Sequence, residues 1–311
     1  MTKDAEIEVS MDAIPREESV VLQSSSFFQN KPKGTSLPSP KEVRSAHQDF
    51  MHGHEELHPQ APHIVRYPSL GLCVKYSQRV RLNEAQAMYL VNHHLGKSFV
   101  APEIYGWHKD GADIFLYMEL IEGEPLDEVW HSLPAADRQE VCKELCAAMS
   151  KLGTLRQAKG HTFLGNLTRG SIPDRLFANI QPSAGPFETV TAFHDWLTGL
   201  KGGGWDEFRG PGMLSDDYNI RLAHGDLHRS NIIIQRDSNH KWKLSGIVDW
   251  EMCSWMPEYW DYCRARWPLS PSENATFGEV YLPYIFSERS ADYSNLYLYW
   301  NFFIERLGKD G

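Results

Sequence analysis

The chain has 311 residues and a formal net charge of -10, from 31 basic against 41 acidic side chains. Hydrophobic residues make up 41%, enough for one large domain or two lobes around a cleft. An acidic surface disfavours nucleic acid and anionic lipid as partners, and a neutral or cationic small molecule is the easier ligand.

The N-terminus is polar and acidic, without the basic start and apolar core of a secretory leader. No run of 18 apolar residues is present, so no membrane span is expected. Five cysteines, an odd number, do not read as a disulfide framework, and a cytoplasmic protein is expected. Cys142 and Cys146 lack a second pair at zinc-site spacing and read as packing residues.

Residues 1–60 carry Ser24-Ser25-Ser26, Lys31-Pro32-Lys33-Gly34 and Pro38-Ser39-Pro40. Such composition buries little, and a flexible tail is expected there, with a short helix around Glu42 to His54. From His63 the pattern changes. His63–Tyr67 and Leu72–Tyr76 are β-rich runs separated by a tight turn at Pro68–Gly71. Asn83 is the expected cap of a helix ending near Gly96. Two further β-rich runs surround Ile104–Trp107 and Ile114–Met118. Residues 61–122 therefore read as a small mixed sheet with one helix.

After Gly123 the pattern turns helical, and residues 123–311 form the second expected lobe. Val141, Leu145, Ala148, Met149 and Leu152 share one helical face, closed by Gly153. Another helix is expected over Phe187–Leu200. Ile232–Ile234 and Leu244–Val248 read as a β-hairpin turning at Asp237-Ser238-Asn239, and the chain beyond Pro257 as helices.

The chemistry concentrates in His224-Gly225-Asp226-Leu227-His228-Arg229-Ser230-Asn231 and in Ile247-Val248-Asp249-Trp250-Glu251. Asp226 and Asn231 are spaced as in a loop of the form H-x-D-x-x-x-x-N leading into a strand. Asp249 ends the next strand. A hairpin delivers these oxygen-bearing side chains to one spot, as magnesium-dependent phosphoryl transfer requires.

These motifs resemble the aminoglycoside phosphotransferase family, with choline kinase and other small-molecule kinases, a branch of the protein-kinase-like fold. The resemblance runs from about His63 to Arg266. It implies an α+β, two-lobed fold with a small-sheet N-lobe and a mainly helical C-lobe. It implies ATP and Mg²⁺ as cofactors, Asp226 as base, and Asn231 and Asp249 as metal ligands. Lys75 paired with Glu84 would contact the α/β-phosphates, and backbone groups of Glu119 and Ile121 would meet the adenine edge. Asp261, in Pro257-Glu258-Tyr259-Trp260-Asp261, would brace the catalytic loop, and His224 and His228 would be structural. The acceptor would lie against the helical lobe, near Arg169–Asp174, Pro186–Trp196 and Trp205-Asp206-Glu207.

One departure concerns the phosphate loop. The stretch from Tyr67 to Gly71 holds one glycine where related folds have several. A nucleotide-binding protein without turnover is therefore a second reading. A protein kinase is a third, opposed by Gly225, by Asp249-Trp250-Glu251 and by the lack of an A-P-E-like segment.

Overall fold

A computed structural model describes residues 5–32, 34–51, 61–96, 99–199, 213–287 and 293–307. The N-terminal half runs β1 (Ile7–Val9), β2 (Ser19–Val21), α1 (Ser26–Gln29), α2 (Pro40–Met51), β3 (His63–Tyr67), β4 (Leu72–Ser77), α3 (Leu82–Leu95), β5 (Ile104–Asp110) and β6 (Asp113–Glu119). There follow β7 (Glu124–Pro125), α4 (Leu126–Val129), α5 (Ala135–Leu152), β8 (Leu155–Gln157), α6 (Val190–Gly199), β9 (Ile220–Ala223), β10 (Ile232–Arg236), β11 (Trp242–Ile247) and β12 (Ser254–Pro257). Helices α7 (Trp260–Arg266), α8 (Pro271–Glu273), α9 (Leu282–Ile285) and α10 (Tyr293–Leu307) complete it.

The principal sheet has the order β2-β5-β6-β4-β3. Every pairing in it is antiparallel, which corrects the expectation of a mixed sheet. The short turns between β3 and β4 and between β5 and β6 fix those two pairings as antiparallel, because parallel neighbours need a long crossover.

The described residues up to Met51 depart further from expectation: this part of the segment read as a flexible tail carries regular structure. Strand β1 pairs with β8 in the other half of the molecule, and β2 forms the sheet edge against β5. Val9, Ile14, Phe27 and Val43 are buried. Ser39 and Glu42 form a reciprocal pair at the start of α2, with the Ser39 N–H donating to Glu42 Oε2 at 2.7 Å. Arg44 of α2 lies over the Phe115 ring and reaches Asp113 at 2.8 Å. This polar helix covers the sheet face formed by Val65, Val74, Tyr76, Phe115 and Tyr117. Composition misses it because a few apolar anchors suffice when the partner face supplies the rest. The expected positions 52–54 lie outside the described residues. Deleting residues 1–21 is expected to lower unfolding stability by at least about 3–6 kcal/mol, for Val9 and Ile14 alone. A urea denaturation midpoint unchanged by the deletion would refute this.

Helix α5 buries the face read from its periodicity: Val141, Leu145, Ala148, Met149 and Leu152 are all in the core. Strands β10 and β11 form the expected hairpin, and β7 adds a third strand beside β10. Strands β9 and β12 pair with each other and flank the segment from His224 to Cys253.

The β3–β4 turn spans the stretch in which a phosphate loop was expected. Tyr67 and Leu72 flank the turn, and Leu72 pairs with Glu119 at the end of β6. Gly71, at φ 60°, accepts a hydrogen bond from Leu120 through its carbonyl at 3.1 Å. The turn is thus tied to the segment leaving β6. Ile64, near the start of β3, is the residue opposite Lys75. The Tyr67–Gly71 turn therefore meets the segment leaving β6 and lies away from the residue opposite Lys75.

Candidate active site

Lys75 is on β4 and points into the space between the sheet and the hairpin. Its Nζ lies 2.8 Å from Glu84 Oε2 on α3, 2.6 Å from Asp249 Oδ1 and 4.0 Å from Glu251 Oε2. Burial alone would discourage the lysine charge, but Glu84 and Asp249 outweigh it and hold the pKa above the ordinary lysine value. Burial pushes the Glu84 carboxyl up to about 7, against the pull of Lys75. Asp249 is also penalised by burial, yet Lys75 keeps its pKa below the usual aspartate value.

Helix α3 starts at Leu82, one residue before Asn83, and has no side-chain cap. Asn83 is not the expected cap. It is buried inside the first turn, and its Nδ2 donates to the carbonyls of Glu251 and Cys253 at 3.1 and 2.9 Å. This bond clamps the helix bearing Glu84 onto the turn bearing Asp249.

Asp249 adopts a left-handed backbone at φ 65°, ψ 60°, an uncommon conformation for a residue with a side chain. Packing enforces it. Trp250 is fully buried against His224 and Phe99, and its indole N–H donates to the Ile247 carbonyl at 2.8 Å.

The Asp226 loop is held from three directions. Asp261, at the start of α7, accepts from the N–H of His224 at 3.1 Å and of Gly225 at 2.8 Å. Arg264, one turn further along α7, donates through Nε to the Gly225 carbonyl at 3.2 Å, and its Nη2 lies 3.6 Å from Asp226 Oδ1. His224 spans the gap to Asp249: its Nδ1 accepts from the Asp226 N–H at 3.2 Å, and its Nε2 lies 3.0 Å from the Val248 carbonyl. His228 caps the short turn that follows, 2.9 Å from Ser230 Oγ. Both histidines are engaged by groups within the two motifs.

Asn231 Nδ2 donates to the Asp226 carbonyl at 2.9 Å and to Asp226 Oδ2 at 3.3 Å. Its own carbonyl accepts from the Val248 N–H at 2.9 Å. Asp226, Asn231 and Asp249 are thereby brought together by bonds on both strands of the hairpin. Glu84, Asp249 and Glu251 place carboxylate oxygens within 4.8 Å of one another. Hard oxygens at that spacing suit a divalent ion such as Mg²⁺.

Glu119 and Ile121 follow β6. The Glu119 N–H is engaged by the Glu103 carbonyl at 2.9 Å. The Ile121 side chain packs against Gly246 of β11, where a Cβ would lie 2.7 Å from Ile121 Cγ2. Three residues escaped the sequence reading: Glu251, Arg175 and Arg264. Glu251 forms an ion pair with Arg175, and Arg264 pairs with Asp174 at 2.8 Å. Glu251 lies within a quoted motif, but neither arginine carries a local signal. Of the segments considered for the acceptor, 205–207 lies outside the described residues. Arg169–Asp174 ends beside Arg264.

The phosphotransferase enzyme family (APH) matches residues 58–296, more than half of the chain, and the chain belongs to that family. The structure resembles that of aminoglycoside phosphotransferase APH(4)-Ia, with 11% identity and a TM-score of 0.51 over 85% of this chain and 88% of that one. A thermostable mutant of the same enzyme in its apo form gives 12% identity and a TM-score of 0.50, over 82% and 83%. Its ternary complex with ADP and hygromycin B gives 10% and 0.50, over 85% and 88%. At such identities the likeness is one of fold, and the fold is the kinase-like α+β fold of these enzymes. No curated protein sequence matches the chain. No helix among the described residues is long and apolar enough to cross a membrane.

Proposed function

We propose that this protein transfers the γ-phosphoryl group of Mg-ATP to a hydroxyl group of a small molecule. The observation that carries the reading is the convergence of Asp226, Asn231 and Asp249 with the buried Lys75–Glu84 pair on one cleft.

Asp226 is the base. Its carboxylate takes the acceptor hydroxyl proton as the oxygen bonds to the γ-phosphorus, and the bond to the β,γ-bridging oxygen breaks to leave ADP. Asn231, through its amide oxygen, and Asp249 would hold Mg²⁺, which would neutralise the phosphate charge. Lys75 contacts the α/β-phosphates. Glu84 aims it, and Asp249 releases it once the nucleotide arrives. The Glu119 carbonyl and the Ile121 N–H meet the adenine edge.

The acceptor lies against the helical lobe, in keeping with a net charge that favours a neutral or cationic compound. The neighbour's aminoglycoside does not carry over, because one fold serves many acceptors.

The test is mass spectrometry of a metabolite extract incubated with protein and Mg-ATP. One component should gain a phosphate mass with wild type, and Asp226→Asn should slow that gain about 10²–10⁴-fold. Equal labelling by both proteins would sink the assignment of Asp226. Labelling of protein serine or threonine instead would redirect it to a protein kinase.

A further inference from the structure

Arg175 is a cation beside the site to which the reading above gives no role. It opens a short 3₁₀ turn, Arg175–Phe177, whose backbone is fixed on both sides. On one side Asp174 is buried, accepts from the Leu176 N–H at 2.9 Å and pairs with Arg264. On the other, Phe177 is buried among Phe193, Trp196 and Trp260.

The Arg175 side chain itself is 68% exposed. Its guanidinium rests on Glu251, which is shared with Lys75 on the far side. Arg175 therefore meets Glu251 opposite Lys75, and its neighbour Asp174 pairs with Arg264, whose Nη2 lies 3.6 Å from Asp226 Oδ1. Arg264 cannot take this place. It is 6% exposed and held between Asp174 and the Gly225 carbonyl.

A planar guanidinium on a fixed turn, with its head in solvent, suits a phosphoryl group with charge spread over its equatorial oxygens. We propose that Arg175 leaves Glu251 when nucleotide binds and donates to the γ-phosphoryl oxygens during transfer, as a catalytic residue. Bond changes are those given above. Arg175 stays protonated and supplies only charge and hydrogen bonds. The inference rests on the phosphotransferase reading.

The experiment compares wild type, Arg175→Ala, Arg175→Lys and Asp226→Asn as full-length proteins with Mg²⁺. Calorimetry measures affinity for ADP and for the β,γ-imido analogue of ATP, and ATP turnover is followed with water or extract as acceptor. In Arg175→Ala, ADP affinity should stay within about twofold of wild type. Affinity for the ATP analogue should fall about 10-fold, and turnover about 10³-fold. Arg175→Lys should recover part of both. The proposal is overturned if Arg175→Ala weakens both nucleotides equally. It is also overturned if turnover is unchanged while Asp226→Asn abolishes it, and in that case the phosphotransferase reading survives. If wild type binds neither nucleotide, both readings fall.

Discussion

Lys75→Met is expected to destabilise the protein by about 3–5 kcal/mol, although methionine nearly matches the lysine in volume and adds apolar character. The cause is the company Lys75 keeps. Its side chain is 10% exposed, Glu84 is 2% exposed, and Asp249 and Glu251 complete a cluster of three carboxylates around it. Removing the ammonium leaves those carboxylates facing one another in a poorly hydrated space. At roughly 2 °C per kcal/mol for a chain of this size, the melting temperature should fall by about 6–10 °C. Glu84→Gln should return part of that loss, because it removes the most deeply buried charge. The sign with pH follows from Glu84. Burial already raises its folded pKa from 4.5 to about 7, so protonated Glu84 favours the fold, and this contribution is lost as pH rises through about 7. Without Lys75 the deficit should be larger at pH 8 than at pH 5.5. A Lys75→Met protein within 1 kcal/mol of wild type at pH 8 would mean that the cluster is hydrated or already protonated. Nucleotide affinity should fall in the same variant, but a recovery of stability without recovery of affinity in Lys75→Met with Glu84→Gln would separate the two effects.

The parts of the site that were legible in sequence are those joined by short-range geometry. Asp226, Asn231 and Asp249 lie at the ends of one hairpin, and a hairpin brings its ends together by construction. Lys75 and Glu84 are joined by one strand-to-helix connection. The illegible parts are held by tertiary contact. Arg175 and Glu251 are 76 residues apart. Asp174 and Arg264 meet only because the 3₁₀ turn packs on α7. Asn83 reads as a cap from its residue type, but its amide is drawn to Glu251 and Cys253 carbonyls 168 and 170 residues away. The N-terminal segment was legible in part: Ser39-Pro40-Lys41-Glu42 is a helix-start pattern, and its polar context hid it. Nothing local could have shown that Val9 pairs its strand with β8 across the molecule.

Helix α7 and the αL turn at Asp249 meet in one framework. Asp261 holds two N–H groups of the Asp226 loop, Arg264 holds a carbonyl and faces the Asp226 carboxylate, and Asn83 ties helix α3 to the residues just past Asp249. Each is a buried group acting on backbone, so the loop geometry is set before any ligand arrives. Preorganised positions of this kind place catalytic groups without reorganisation during reaction.

That framework leaves no room at Gly225, and Gly225→Ala is expected to be far more damaging to turnover than to folding. Gly225 has φ 82°, and an added Cβ would lie 2.5 Å from the Met252 carbonyl oxygen and 2.9 Å from Met252 Cβ. The backbone strain alone costs about 1–2 kcal/mol. The clash adds a displacement that cannot be absorbed locally, because the Gly225 N–H is held by Asp261 and its carbonyl by Arg264. The shift therefore passes to the next residue, Asp226, and a displacement near 1 Å costs on the order of 10² in rate. Gly111 supplies the control. It turns between β5 and β6 at φ 64°, and a Cβ there would meet nothing within 4 Å. Gly111→Ala should show the same 1–2 kcal/mol loss in urea denaturation with turnover unchanged. Gly225→Ala should show that loss, or more, together with the drop in turnover and little change in nucleotide affinity, since Lys75, Glu119 and Ile121 do not touch it. Equal turnover in the two variants would show that the loop yields at Met252, and that the grip of Asp261 and Arg264 does not position Asp226.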